Sequence, residues 1–124
     1  MTKILIVDDS AISRTQLKVD LEKQNYTVIE GVDGLDGLQQ FLKHEDIKLL
    51  ISDINMPLMD GMAMCTKIRE STKNPNLIIF MLTTQADPEL KAKSITLKVR
   101  AWIMKPYNVE KLMTAVQRVL TTAT

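Results

Sequence analysis

Cysteine, histidine, aromatic residues, glycine and proline are all scarce in this chain, and each shortage excludes something. One cysteine, Cys65, permits no intrachain disulfide. One histidine, His44, stands among Lys43, Glu45 and Asp46 and reads as a solvated helix end, not a ligand or catalytic base. Four glycines and four prolines are too few for a fibrous or low-complexity chain. No apolar run approaches the roughly 18 residues that cross a bilayer. Met1-Thr2-Lys3 leads into an apolar run of four residues without a signal-peptide pattern, so the expected setting is reducing and cytoplasmic, with no membrane insertion. With 124 residues the chain is too short for a two-domain enzyme or a (β/α)8 barrel, and a single domain spanning 1–124 with no output domain is expected.

Neither sign of charge dominates, the net being +1, but the balance is uneven along the chain. Positions 1–62 hold six Lys/Arg against eleven Asp/Glu, and positions 63–124 hold ten against four. A localised acidic site and a separate basic surface would produce that split, as would uneven solvated helix faces.

The residues that are plentiful are apolar, and they fall into five strand-length runs: Ile4–Val7, Thr27–Ile29, Leu49–Ser52, Leu77–Leu82 and Trp102–Met104. The first, third and fourth lack polar alternation, as parallel strands covered on both faces require. Helix-period segments separate them, each opened by a residue suited to capping: Ser10, Asp33, Asp60, Asp87 before Pro88, and Asn108. Inward faces are predicted at Leu17 and Leu21, at Leu35, Leu38 and Leu42, at Cys65 and Ile68, and at Leu112, Ala115, Val116, Val119 and Leu120. Alternation of this kind implies an α/β, doubly wound parallel sheet with helices on both faces. Cys65 is expected as a small buried hydrophobe. Met56, Met59, Met62 and Met64 are expected to pack in core and loop, in preference to forming a soft metal site.

Ligands of open α/β sheets bind beyond the carboxyl ends of the strands. Here those ends deliver Asp8-Asp9 after the first run, Asp53 after the third, Thr83 after the fourth and Lys105-Pro106 after the fifth. Converging carboxylates repel unless a positive group neutralises them. With only oxygen ligands on offer, a hard divalent ion, Mg2+ or Mn2+, suits the set better than Zn2+. Carboxylate, metal, hydroxyl and ammonium together describe a phosphoryl-handling site, in which a carboxylate can form an acyl phosphate while Thr83 and Lys105 contact the phosphoryl oxygens.

The motifs Ile4-Leu-Ile-Val-Asp-Asp-Ser10, Ser52-Asp-Ile-Asn-Met-Pro57 with Met59-Asp-Gly61, Thr83 and Lys105-Pro106 resemble, in order and spacing, those of CheY-type response-regulator receiver domains. The resemblance covers the whole chain and implies a flavodoxin-like (βα)5 fold with strand order 2-1-3-4-5. It implies that Asp53 accepts phosphate from a histidine-kinase phosphohistidine, that Asp9 ligates Mg2+ directly and Asp8 largely through water, and that Asn55 offers its backbone carbonyl. It implies phosphoryl contacts from Thr83 and Lys105, a cis bond before Pro106, and a switch in which Trp102 swings inward as Thr83 moves. Such a protein is not a turnover enzyme but catalyses its own phosphotransfer and slow autodephosphorylation.

The partners so implied are a CheA-like histidine kinase, a phosphatase and a downstream protein such as the flagellar motor switch, met by a monomer. Lys91, Lys93, Lys98, Arg100, Lys111 and Arg118 lie on or near the expected read-out face and favour an acidic partner segment over nucleic acid. A phosphorelay intermediate or phosphate sink is the alternative. An aspartyl hydrolase fits less well, because its nucleophile follows the first strand. Three positions depart from the family pattern: Trp102 replaces the usual Tyr or Phe, Thr84 replaces a small residue, and Lys98 replaces a glycine after the fourth helix.

Overall fold

The computed structural model describes residues 2–84 and 87–122. Five strands alternate with five helices: β1 (Lys3–Val7), α1 (Ala11–Glu22), β2 (Thr27–Gly31), α2 (Gly34–Lys43), β3 (Ile47–Ser52), α3 (Gly61–Ser71), β4 (Ile78–Thr83), α4 (Pro88–Thr96), β5 (Val99–Met104) and α5 (Val109–Thr122). All strand pairs are parallel, in the order β2-β1-β3-β4-β5. The expected doubly wound fold is therefore the one found.

Successive side chains of a strand point to opposite faces, so uninterrupted apolar strands fill two cores at once. Ile4, Ile6, Leu49, Ile51, Phe80 and Leu82 pack against Leu17 and Leu21 of α1 and Leu112, Val116, Val119 and Leu120 of α5. On the other face Leu5, Val7, Leu50, Ile79 and Met81 pack against Phe41 of α2 and Met64, Cys65 and Ile68 of α3. Fully burying a side chain such as Phe41 or Phe80 contributes about 1.5–3 kcal/mol, so this double layer is what holds the strand ends in register. Burial pushes the Cys65 thiol up to about 12, which keeps it neutral and unreactive at neutral pH.

The caps hold as the sequence predicts. Ser10, Asp33, Asp60 and Asp87 accept hydrogen bonds from first-turn amides of α1 to α4, and Asn108 Oδ1 accepts from the Lys111 amide of α5. At its other end α2 is closed by Lys73, whose Nζ donates to the carbonyls of Phe41, Leu42 and His44 at 3.0, 2.6 and 2.9 Å. His44 is the C-cap residue of that helix.

The face of α2 needs correction. Leu35 and Leu42 are 41% and 49% exposed, and the buried positions are Gly34, Gly37 and Phe41. The helix lies so close to β1 and α3 that a Cβ on Gly37 would stand 2.8 Å from Val7 Cγ2 and 2.6 Å from Met64 Sδ. Hydrophobic periodicity cannot register a contact made by glycine. The fifth strand also begins earlier than its apolar run, at Val99, which pairs with Ile79 before a register irregularity at the exposed Arg100.

Lys98 adopts a left-handed conformation, φ 59°, in the turn that joins α4 to β5. A side chain at such a φ is strained by about 1–2 kcal/mol, whereas glycine is not. Lys98→Gly is therefore expected to stabilise the protein by about 1 kcal/mol, part of the relief being offset by glycine's greater unfolded entropy. A higher urea midpoint with an unchanged slope is the measurement that checks it.

Candidate functional site

The site forms where β1 and β3 run side by side and hand the chain on in opposite directions. Asp8 directly follows β1, its amide donating to the Gly31 carbonyl at 3.2 Å. Its carbonyl accepts from Arg14 Nη1 at 2.7 Å, and Arg14 is itself held by Glu30 of β2 at 3.2 Å. That brace was not foreseen. The signal for it was a lone arginine one turn into α1, with the acid that meets it on the neighbouring strand.

Asp53 directly follows β3, anchored by its amide to the Val7 carbonyl at 3.0 Å. Its Oδ1 accepts from the Ile54 amide at 2.7 Å. The chain then loops out through Asn55, which is exposed, and returns to α3, where the Gly61 amide donates to the Ile54 carbonyl at 2.8 Å. A Cβ at Gly61 would stand inside the contact radius of the Asp53 carbonyl oxygen, so only glycine permits this return.

Asp8 is 6% exposed, Asp9 is exposed, and Asp53 is between them in burial. One carboxylate oxygen of each lies within 4.8 Å of the other two. Lys105, beyond the end of β5, places Nζ 2.7 Å from Asp8 Oδ2 and 3.3 Å from Asp53 Oδ2. Burial alone would lower its pKa, but hydrogen bonding and charge from Asp8, then from Asp53, outweigh that and hold the ammonium above its usual 10.5. The remaining Asp8 oxygen accepts from the Ser10 amide at 2.9 Å, so both of its oxygens are engaged.

Thr83 ends β4 and is buried, and its carbonyl accepts the Lys105 amide at 2.7 Å. The Lys105–Pro106 peptide is cis. Trp102 pairs with Met81 across β4 and β5 and lies half-buried against the core layer shared by α2 and α3. The fold thus gathers Asp8, Asp9, Asp53 and Lys105, sets Thr83 beside them, and leaves Asn55 at the rim and Trp102 further back along its strand.

Three carboxylates with no nitrogen or sulfur donor fit Mg2+ or Mn2+, which prefer oxygen ligands and keep several waters. When bound, such an ion would supply positive charge to a phosphoryl group and relieve the repulsion among the acids. Lys105 partly fills that role already, so an ion drawing on the Asp8 and Asp53 carboxylates would compete with it.

Six of the ten basic residues of the second half are exposed along α4, β5, α5 and the turn between α4 and β5: Lys91, Lys93, Lys98, Arg100, Lys111 and Arg118. Among the described residues no helix is long and apolar enough to cross a membrane.

Comparison with known proteins agrees with this geometry. Residues 4–117 match the response regulator receiver domain family. The response regulator ArlR of Staphylococcus aureus is 33% identical over 120 residues, covering 97% of this chain and 53% of that protein. The chain spans about half the length of such curated relatives. The chemotaxis protein CheY4 of Vibrio cholerae superposes with a TM-score of 0.89 at 34% identity, covering 96% of this chain and 98% of that one. A CheY-like receiver domain protein of Methanospirillum hungatei gives 0.92 at 28% identity, covering 99% and 96%. By sequence match, fold and the acids gathered at its strand ends, this chain belongs to the response regulator receiver domain family.

Proposed function

We propose that the chain is a phosphorylation switch in which Asp53 accepts a phosphoryl group from the phosphohistidine of a histidine kinase, with Mg2+ held by Asp8, Asp9, Asp53 and the Asn55 carbonyl. The observation that carries this reading is the placement of Asp53. It directly follows a buried strand, within 4.8 Å of two further carboxylates and 3.3 Å from an ammonium. In the transfer an Asp53 oxygen bonds to phosphorus, the bond from phosphorus to imidazole nitrogen breaks, and its electron pair stays on the imidazole. Lys105 and the Thr83 hydroxyl stabilise the phosphoryl oxygens, drawing the β4 and β5 ends together.

Thr83 and Lys105 share a backbone hydrogen bond, and Trp102 lies on β5, three residues before Lys105. A phosphoryl group that holds Thr83 better in one arrangement shifts the population of Trp102 conformers and so the α4–β5–α5 surface. The exposed basic residues there suit an acidic segment of a protein target. The likeness to a chemotaxis protein over nearly its whole length supports a CheA-like kinase and a target of the flagellar motor-switch kind, with a phosphatase to reset the signal.

Incubation with a small acyl-phosphate donor and Mg2+ tests the reading. The expected result is one phosphoryl group per chain, a change in Trp102 fluorescence, and no turnover of phosphomonoesters. Catalytic release of phosphate from phosphomonoesters would overturn it in favour of a hydrolase.

A further inference from the structure

Asp20 is an acid where α1 should be apolar: it lies three residues after Leu17, beside Leu21, and is 6% exposed. Its carboxylate accepts from Gln16 Nε2 at 3.2 Å and, across the fold, from the Tyr107 hydroxyl at 3.2 Å. Burial and the negative charge of Asp20 push the Tyr107 phenol up to about 12, so the hydroxyl keeps its proton and remains the donor throughout the neutral range. The Tyr107 ring packs against the core layer of α1 and α5.

This bond spans an otherwise open region. Lys105, Pro106, Tyr107 and Val109 face Ile12, Ser13 and Gln16 of α1 across a groove of about 530 Å³, so the first turns of α1 give the loop little support. The last sheet bond before the loop is Lys105 N to Thr83 O, and the next side-chain tie to α1 is Tyr107 to Asp20. The same helix begins immediately after Asp8, Asp9 and Ser10.

We infer that Asp20 and Tyr107 are positioning residues that tie the Lys105 loop to the helix following the acid pair, and so set how firmly Lys105 holds Asp8 and Asp53. Lys105 opposes Mg2+ at those oxygens yet assists the phosphoryl group. Loosening it therefore moves the two properties in opposite directions, whereas general destabilisation lowers both. The rate part of this inference rests on the reading of Asp53 as phosphoacceptor; the Mg2+ part needs only the acid cluster.

The test uses the whole chain with Tyr107→Phe and Asp20→Asn. Calorimetric titration with MgCl2 and the phosphorylation rate with a small acyl-phosphate donor are measured for each, with urea unfolding to confirm the fold. Tyr107→Phe is expected to bind Mg2+ about threefold more tightly, because a weakened ion pair competes less. Its phosphorylation is expected to slow about tenfold, because Lys105 is less well placed. Asp20→Asn keeps an acceptor for the hydroxyl and is expected to stay near wild type in both. Parallel loss of Mg2+ affinity and rate in Tyr107→Phe, no change in either, or an Asp20→Asn variant as altered as Tyr107→Phe would overturn the inference. If no protein is phosphorylated while Mg2+ still binds more tightly to Tyr107→Phe, the Asp53 reading fails and the positioning role stands.

Discussion

Lys105→Met is expected to separate metal binding from phosphoryl transfer more sharply than any other single change. The ammonium lies 2.7 Å from Asp8 and 3.3 Å from Asp53, and its removal leaves the three clustered carboxylates without the cation that bridges Asp8 and Asp53. Breaking a fully buried ion pair costs about 3–5 kcal/mol. Residual solvent contact at this pair reduces the expected loss of stability to about 2 kcal/mol. Mg2+ should restore that loss, and should bind the variant more tightly than wild type because its competitor is gone. Phosphorylation should nevertheless slow by about 10²–10³-fold, the usual consequence of deleting one preorganised charge from a transition-state site.

The pH dependence has a definite sign. The folded protein holds the Lys105 ammonium above its usual 10.5, so the stability it contributes is fully present below that pH. It is lost as the pH rises through the higher folded value. The stability gap between wild type and Lys105→Met should therefore persist at neutral pH and, as the pH is raised, close only on the alkaline side of 10.5. Urea unfolding at a series of pH values measures it.

Gly61→Ala is expected to damage the site from behind. The added methyl would overlap the Asp53 carbonyl oxygen, and that oxygen cannot retreat easily. Asp53 is tied through its amide to Val7, and the Gly61 amide is tied to Ile54. Either Asp53 shifts or the first turn of α3 unwinds from its Asp60 cap. Overpacking against backbone of this kind costs about 2–3 kcal/mol. A displacement of about 1 Å at a reacting group slows reaction by about 10²-fold. The urea midpoint and the rate of acyl-phosphate labelling should fall together, without the gain in Mg2+ affinity expected at Lys105 and Tyr107.

Much of this was legible in the residues. Apolar strands without alternation at Ile4–Val7 and Leu49–Ser52 announced a sheet covered on both faces, and every predicted cap closes its helix. The acids, Thr83 and Lys105 could be gathered because strand ends in a parallel sheet share one rim. What escaped was contact made without apolar side chains. Glycine packing turned the α2 face away from Leu35 and Leu42. The brace of Arg14 on the Asp8 carbonyl and the bond of Tyr107 to Asp20 join residues distant in sequence, whose pairing only the fold reveals. Lys98 stands where the resemblance expects glycine, and its left-handed backbone gives that departure a physical content.

The central claim is that Asp53 itself carries the phosphoryl group, and intact-mass analysis tests it most directly. Wild type and Asp53→Asn are incubated with a small acyl-phosphate donor and Mg2+. One phosphoryl group, about 80 Da, is expected on the wild type alone. An equal and lasting adduct on Asp53→Asn would contradict it.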